Sequence, residues 1–524
     1  MPIDVSPLVD FKNADVVQEE LNRKLAELNK TDSSKEPFMS SISNHIRSKW
    51  AQAQTAKIPI EARLNACKRA VRCQYDPKKL AAIQAIYGKD FDPPYPPVIA
   101  TKRDDLVAWL KDSLLMPGVD LFSLEPTPMP DLPQGMEEQI KIRIEQKFFQ
   151  IAASQSLQSG LPVDMQVIAQ QIQELQPVIK DRVFEEMKHQ SKESALRMTH
   201  KIKDQFAEGN FTSELKKFID DIATYPSAFL RGPVQKKAKV KKRVMNVETG
   251  QWVTDIEEQI ISSYERISPY NVYPVNNTAD VNDTDLLILT ANTASDLSDL
   301  IDVEGYDSDA IREVLSLYRS GGLKEWTNVT AERDSLDEKD SSSNYDFIDC
   351  LEYQGTASGR MLVEWAGSEP SALALFGMEL DDEKEYQIVA WLIGTYVIKA
   401  MLNPDSLGKK DISKTGFSTD PDNFWGHTSL PEKLWSDQSQ CNALSRGIVL
   451  NVGFAAGPQV EYDKDRFPEG ISPNFYPLKQ WAATGAQMAG GKAVNFYQPQ
   501  LVVAALTAAF EFYRSLADEH SGIP

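Results

Sequence analysis

The spacing of apolar residues in the first half of the chain predicts mostly helix. A short helical pattern over residues 16–28 is followed by the polar run 31–35, which we expect to end it. Helical spacing covers residues 38 to about 115 and again residues 136–208. Between them lies a proline-rich connector, residues 124–133, because proline fixes φ and has no N–H to donate.

Helix-ending residues predict where individual helices begin and stop. In the second long helical region we expect a break at residues 159–162, a cap at Asp164 and a kink or boundary at Pro177. Thr212 should cap a compact helix that ends before Pro226. Its inward-facing stripe is predicted to consist of Leu215, Phe218, Ile219 and Ile222.

In the middle of the chain the apolar period changes to two, which predicts strands. Residues 229–275 have strand-like spacing, with a turn at 248–251 and an edge segment at 270–274. An amphipathic helix follows and is stopped by glycines 321–322; its inward residues are Ile311, Val314, Leu315 and Tyr318. Strand spacing returns over residues 345–403, at 360–365, 386–391 and 395–399, with a turn at Gly394.

The last quarter of the chain contains two further predicted helices. Ser429 and Glu432 have the spacing of a capping box, with a proline in the first turn. The helix that they open should bury one face, formed by Leu434, Cys441, Leu444 and Ile448, with Gln438, Gln440, Asn442 and Arg446 elsewhere on it. Residues 500–517 are apolar nearly all round. We therefore predict a mixed α+β protein; the absence of a βαβ rhythm argues against a doubly wound parallel sheet.

Charge is unusual in amount and in distribution. The 524 residues carry a formal net charge of −20, which argues against a general nucleic-acid binder. Residues 280–352 hold 19 acidic and 5 basic residues, a local charge of −14. In contrast, six of the eight residues 236–243 are basic, and four of them would share one face of a strand: Lys237, Lys239, Lys241 and Arg243. This basic stripe could contact DNA or an acidic neighbour, or it could protect an edge strand from self-pairing.

Cysteine usage and the apolar runs indicate the compartment. Cys67, Cys73, Cys350 and Cys441 form no CxxC pair, so free and mostly buried thiols in a reducing compartment are expected. The N-terminus lacks a basic flank before an apolar stretch, so no secretory signal is predicted. The longest uncharged apolar run, residues 501–510, is about half of what spans a bilayer. We expect a cytosol-made protein with no membrane partner.

No motif in the sequence predicts catalysis, a cofactor or a metal ion. Residues 485–493 resemble a phosphate-binding loop, but the spacing is one residue off and Ala493 stands at the hydroxyl position. The five histidines are isolated: His45, His189, His200, His427 and His520. The acidic pairs at 220–221 and 381–382 are adjacent in sequence, so we interpret them as solvated charge. The sequence therefore predicts a protein that is not an enzyme.

Several short segments carry a further signal through their order along the chain. They are residues 70–77, 101–109, 124–133, 218–226, 230–233, 267–274, 304–307, 424–426, 431–434, the trio Gln438, Asn442 and Arg446, and 519–524. In this order, over nearly the whole length, they resemble the portal proteins of short-tailed bacteriophages. The match at 519–524 resembles the segment after the family's tunnel helix, beyond which family members continue, often into a helical crown. The crown would thus be missing here or not included.

The resemblance implies a multidomain portal fold with wing, stem, clip and tunnel-loop regions, assembled as a ring of twelve copies. On this basis residues 1–36 form an N-terminal arm or a frayed terminus, and 37–340 form the wing. The wing would be helical over 37–228, strand-rich over 229–275 and mixed over 276–340. Residues 345–427 would include the clip, 428–455 a stem helix, and 456–524 the tunnel-loop region and the tunnel helix. Candidates for the DNA channel are Gln487, Gly490, Gly491 and Lys492.

The same resemblance implies partners and a place of action. The ring, or head-tail connector, would sit at one vertex of the virion capsid after assembly in the host cytoplasm. It would pass double-stranded viral DNA, bind the terminase packaging motor, later hold the head-tail adaptor and tail proteins, and contact major capsid and scaffold proteins. Two alternatives stay open: a soluble multidomain enzyme with a dispersed active site, and another virion structural protein such as a tail connector or scaffold.

Overall fold

The chain divides into two compact units. The computed structural model describes residues 11–116, 121–126, 142, 146, 149–150, 165–245, 252–301, 303, 305–319, 321–326, 347–366, 380–405, 407–463, 480 and 494–523, with the backbone alone at 11–40, 165–180, 182–183, 186, 235–245 and 252–259. The first unit comprises residues 1–110, 216–231 and 266–524, and the second comprises 111–215 and 232–265.

The described elements alternate between long helices and small sheets. The helices are α1 (Phe11–Val71), α2 (Pro77–Tyr87), α3 (Val98–Leu114), α4 (Met165–Glu208), α5 (Phe211–Thr224), α6 (Ala294–Ser298), α7 (Ser308–Tyr318), α8 (Gly359–Ala366), α9 (Leu430–Lys433), α10 (Trp435–Ala455) and α11 (Val503–Ser521). The strands are β1 (Ala228–Met245), β2 (Trp252–Ile267), β3 (Val272–Pro274), β4 (Leu286–Asn292), β5 (Ile348–Ser358), β6 (Glu385–Ile393), β7 (Tyr396–Leu402), β8 (Ile412–Thr415), β9 (Gln459–Tyr462) and β10 (Val494–Tyr497).

A five-stranded antiparallel sheet forms the centre of the first unit. Its strand order is β3-β4-β5-β6-β7, so consecutive strands are neighbours and the predicted edge segment lies at the edge. Alternate residues of β5 enter different cores: Leu351 and Tyr353 pack on the side of α1 and α8, whereas Cys350 packs with α7. Small antiparallel sheets covered by separate helices confirm the predicted mixed α+β class.

Two helix boundaries predicted in the first half of the chain are wrong. Helix α1 runs without a break through residues 31–35, because that polar run contains neither glycine nor proline and its residues disfavour helix only weakly. Helix α4 likewise continues past Pro177, so the predicted boundary does not lie there, while the alternative of a kink stays a prediction. Ending and restarting a helix requires a second nucleation, which is unfavourable, whereas one proline removes one backbone hydrogen bond. Asp164 and residues 159–162 lie outside the described residues.

The segment 360–365 forms helix α8 and not the predicted strand. Short apolar runs do not distinguish helix from strand by their spacing. Here the chain leaves β5 at Gly359, where a Cβ would lie 2.0 Å from the carbonyl oxygen of Asp381. Only glycine permits this close approach, and the turn that follows lets Leu362 enter the core.

Other predicted ends agree with the structure, with two corrections. Gly394 makes the turn between β6 and β7 with φ of +57°, and α7 ends at Tyr318, before the paired glycines. Helix α5 begins at Phe211, so Thr212 lies inside it and is not its cap. The predicted helix after Ser429 is two helices, α9 and α10, which are interrupted at Leu434.

The second unit contains α4, the first part of α5 and the paired strands β1 and β2 from Gly232 to Glu265. An aromatic cluster holds its described part together: Phe206 stacks on Phe211 with centroids 4.2 Å apart, and Tyr264 of β2 packs edge-on to both rings. The turn between α4 and α5 lies close to β2, because a Cβ on Gly209 would meet the Ser262 carbonyl oxygen at 1.9 Å. The predicted turn at 248–251 lies outside the described residues.

Candidate functional site

The capping box at Ser429 positions the C-terminal helices. The Ser429 side chain accepts from the Glu432 amide, and Glu432 in turn accepts from the Ser429 amide and from Arg63 of α1. These hydrogen bonds lower the pKa of Glu432, although burial alone would raise it. The box therefore fixes the start of α9 against α1.

The residues predicted to form one face of the stem helix are buried unequally. Leu434 and Cys441 are fully buried, and Leu444 and Ile448 are half-buried. Leu434 lies between α9 and α10, where its conformation interrupts the helix. Leu434 and Cys441 pack in a core with Val98, Ile99, Leu430 and Ala517, which joins α3, α9, α10 and α11.

Beyond this core, α10, β10, α11 and the segment that joins β10 to α11 carry large apolar side chains in solvent. We call these residues the exposed apolar set: Val449, Val452, Phe454, Phe496, Tyr497, Leu501, Val502 and Phe512. Leu501 is 67% exposed and Phe512 is 63% exposed. Single exposed apolar residues need no explanation, but a concentration of them in one part of a molecule is typical of an interaction surface.

The exposed apolar set is not confined to the contact between α10 and α11. Gly447 lies against Leu506, and Asn451 bonds the amide of Val502, so these α10 residues face α11. Val449, two residues after Gly447, points about 200° away from it on a helix. On α11, Phe510 packs against the core. Phe512, two residues further on, points about 200° away from Phe510. The helix pair thus exposes apolar groups on sides that the two helices do not cover for each other.

A polar cluster on α10 forms the wall of a cavity of about 290 Å³. Gln438 accepts from the Ile99 amide at 3.0 Å and donates to the Pro96 carbonyl and to Asn442. The first amides of α3 have no partner inside the helix, so Gln438 satisfies one of them. The spacing of Gln438, Asn442 and Arg446 is a visible signal for this shared face, although in the sequence it indicates only a polar part of the helix and one segment of the resemblance, and no cavity is predicted from it.

The cavity combines aromatic walls with two cations. Arg446 donates to the Tyr75 hydroxyl at 3.0 Å, and Tyr75 donates to the Pro94 carbonyl. Burial raises the pKa of Tyr95 to about 12, so its hydroxyl stays protonated at neutral pH. The Lys79 ammonium lies 5.2 Å from the centre of the Trp435 ring. The further lining residues are Gln74, Asp76, Ala82, Ile83 and Ser439.

Several charges of the acidic block lie inside the first unit. Glu352 is fully buried and pairs with Arg231 through two 2.7 Å bonds, while Asp411 takes the third guanidinium contact at 2.6 Å. Asp285 pairs with Lys49 at 2.7 Å. Burial opposes ionisation of Asp285, but the hydrogen bonds that it accepts lower its pKa overall. Arg231 and Glu352 are 121 positions apart, so no local pattern reveals their contact.

The acidic pair at 220–221 is not simply solvated charge. Asp221 is buried and accepts two hydrogen bonds from Arg266, whereas Asp220 is paired with Arg103. Burial raises the pKa of Asp221, against the effect of the arginine. Asp381, in the other adjacent pair, binds Lys384 near the surface. The interpretation as solvated charge is therefore wrong for Asp221, because this carboxylate is buried and paired with Arg266 while its neighbour pairs with Arg103.

The histidines and cysteines of the described region have ordinary partners. His520 contacts the buried Asp437 at 2.7 Å, and His45 lies beside the Tyr353 hydroxyl and the Thr356 carbonyl. All four cysteines are free, and three of them are buried: Cys67, Cys350 and Cys441. In the part of the chain that the structure describes, no group of three or more histidine, cysteine and acidic side chains could hold a metal ion.

The side chains of two predicted sets of site residues lie outside the described part of the structure. The channel candidates Gln487, Gly490, Gly491 and Lys492, with the loop 485–493 before β10, lie outside the described residues. The basic stripe of Lys237, Lys239, Lys241 and Arg243 lies on β1, where only the backbone is described. That backbone is a strand, as the alternation predicts, so both interpretations of the stripe remain.

Comparisons with known proteins give no family for this chain. Neither the scan against protein-family models nor the search of curated proteins finds a match. Within the described ranges, no helix has both the length and the apolar character needed to cross a bilayer.

Proposed function

We propose that this chain is the subunit of a portal ring, a non-enzymatic channel for double-stranded DNA at one vertex of a phage capsid. It would serve genome packaging, genome retention, tail attachment and ejection, with energy supplied by a separate motor. The observation that carries the proposal is the exposed apolar set on α10, β10 and α11. The order of the segments that resemble portal proteins and the acidic character of the chain support it.

The exposed apolar set favours association side by side. Covering a large apolar side chain is worth about 1.5–3 kcal/mol when burial is complete. Apolar side chains on two sides of a helix pair are covered from solvent when each copy contacts one neighbour on either side. Such a head-to-tail contact closes into a ring when its rotation permits. A soluble monomer gains nothing from exposing these residues.

The charge supports a channel in which DNA slides. Each DNA phosphate that a protein cation neutralises adds to the affinity of the protein for DNA. A channel through which DNA moves should therefore bind the DNA weakly. Within the acidic block, Asp285 and Glu352 are engaged inside the first unit and are poor candidates for a lumen. Among the described residues of the block, seven other carboxylates are exposed: Asp280, Asp283, Asp296, Asp299, Asp309, Glu313 and Glu325, of which Glu325 pairs with Arg47. These are the groups that could repel the backbone.

The test is direct observation of the purified protein. Negative-stain images and a mass measurement of the particle should show a closed ring with a central hole, at ionic strengths that screen a net charge of −20 per copy. Single protomers at every concentration and salt, together with the absence of a pore-bearing oligomer in phage heads, would overturn the proposal. Hydrolytic activity of the isolated chain would favour the enzyme alternative.

The channel contact is tested separately. We propose that Lys492 touches passing DNA loosely near the constriction. The Lys492→Ala variant should change DNA packaging or genome retention, whereas Lys409→Ala, an exposed lysine of the loop between β7 and β8, should not. If both measurements are unchanged by Lys492→Ala, the contact role is wrong while the ring itself can still stand.

A further inference from the structure

The cavity between α2 and α10 is lined by two cations, Arg446 and Lys79. Among the described residues, no carboxylate lies within ion-pairing distance of Arg446 or Lys79. Asp76, the acidic residue of the lining, is already engaged by Arg69 and caps α2 through the Lys78 amide. The cavity therefore offers positive charge in a chain whose net charge is strongly negative.

The guanidinium of Arg446 has N–H groups that can bind a planar anion. Its Nη1 donates to Tyr75, and no other hydrogen bond of its guanidinium is made within the described residues, which leaves the rest of the fork available. A guanidinium matches a carboxylate through two parallel hydrogen bonds, a geometry that lysine cannot reproduce. Tyr75 is itself anchored on the Pro94 carbonyl at 2.8 Å, so Arg446 is hydrogen-bonded to an anchored partner before any ligand arrives.

Helix α2 continues the cavity as an apolar strip. None of its eleven residues is buried. Lys79, Ala82 and Ile83 line the cavity, and Ile86 follows at helical spacing on the same face, 75% exposed. The cations thus lie at one end of a strip of apolar side chains in solvent.

We propose that this cavity binds an acidic peptide segment of a partner protein. One carboxylate of the segment would take the free side of the Arg446 fork, with Lys79 beside it. An aliphatic or aromatic neighbour in the segment would pack on Trp435, Ile83 and Ile86. This is a binding site beyond the proposed channel, and it does not depend on ring formation.

The same features argue against a nucleic-acid ligand. A DNA backbone repeats its charge along its length and gains affinity from many cations, whereas this cavity presents two. The volume of about 290 Å³ accommodates one or two side chains. Apart from Asp76, which Arg69 engages, the remaining walls are apolar, hydroxyl and amide groups, which suit a peptide. An acidic peptide with apolar neighbours is therefore the ligand that fits both the charge and the walls.

The test measures binding of a labelled peptide to the full chain. The probe is a fluorescein-labelled hexapeptide in which aspartate and glutamate alternate with leucine, compared by fluorescence anisotropy with its asparagine and glutamine analogue. We expect the acidic probe to bind at least about tenfold more tightly than the neutral one, and more weakly at high salt, because a charged hydrogen-bonded pair is lost. Equal affinities, or no binding of the acidic probe, would overturn the proposal.

The variants assign the binding to this cavity. Arg446→Gln should weaken the acidic probe about tenfold, with Arg446→Lys intermediate, because the fork is lost while the charge remains. Lys79→Gln, at an exposed position, provides the same test should Arg446→Gln fail to fold. Lys409→Gln removes one exposed positive charge away from the cavity and should change nothing. An equal loss with Lys409→Gln, or displacement of the probe by a short DNA duplex, would contradict a peptide site.

Discussion

Replacing Phe512 with alanine should weaken self-association without unfolding the chain. This α11 side chain is 63% exposed in the protomer. Complete burial of phenylalanine is worth about 1.5–3 kcal/mol, so covering the exposed part by a neighbouring copy should contribute roughly 1–2 kcal/mol per contact. Since each 1.4 kcal/mol is about a factor of ten, every contact should weaken about 5- to 30-fold.

The assay follows the mass of the particle as the protein is diluted. In Phe512→Ala, the concentration at which rings dissociate should rise by at least the factor of about 5 to 30 expected for one contact. Every copy carries the change, so every contact in the ring is weakened. Leu407→Ala is the matched control, since Leu407 is 75% exposed in the loop between β7 and β8 and is not part of the exposed apolar set. Its dilution curve should coincide with that of the unmodified chain.

Folding must be measured beside association. Phe512 is mostly in solvent, so its removal should change the free energy of unfolding by no more than about 0.5 kcal/mol in urea. If Phe512→Ala dissociates at the same concentration as the unmodified chain, or if the Leu407→Ala curve moves by as much, α11 does not form a contact between copies. The argument from the exposed apolar set would then be refuted.

Three further predictions concern stability. Glu352→Ala should destabilise the fold by about 3–5 kcal/mol in urea, because it strips a buried arginine of its main partner; Glu364→Ala, which breaks an exposed pair, should cost under about 1 kcal/mol. Ser429→Ala should cost about 1 kcal/mol through the lost cap, visible as a lower urea midpoint with an unchanged slope. The pKa of Asp285 is lowered in the folded chain, so its pair with Lys49 stabilises above about pH 4, the unfolded value, and the contribution disappears as the pH falls through the lowered pKa. Asp285→Asn should accordingly flatten the decline of unfolding free energy in this acidic range, and an unaltered decline would contradict the assignment.

Local signals predicted much of the fold because they act over a few residues. The capping box at Ser429, the glycine turn at Gly394 and the amphipathic stripe of α7 each depend on neighbours in sequence. Some errors were local, such as the break expected at residues 31–35, and others involve a distant contact. The segment 360–365 is helical, and Gly359, which begins this helix, passes close to Asp381; a spacing rule contains no information on that approach.

The candidate site was less accessible to sequence reasoning than the fold. The Gln438, Asn442 and Arg446 spacing was visible, but its purpose depends on Pro96 and Tyr75, more than 300 positions away. The all-round apolar pattern of residues 500–517 predicted a helix buried between neighbours, whereas most of α11, Phe512 included, is exposed within the described chain. Both features depend on which surfaces the folded chain covers.

The buried charge at the start of β1 also governs strand registration. Arg231 lies opposite Ile412 of β8, and from there it reaches Glu352 on β5. A slip of one residue would turn the guanidinium to the other face of the strand and leave a carboxylate alone in the interior, which is far more costly than a mismatched apolar pair. The ion pair consequently discriminates against a misaligned pairing of β1 with β8 during folding, a selectivity that aliphatic side chains at these positions would not provide.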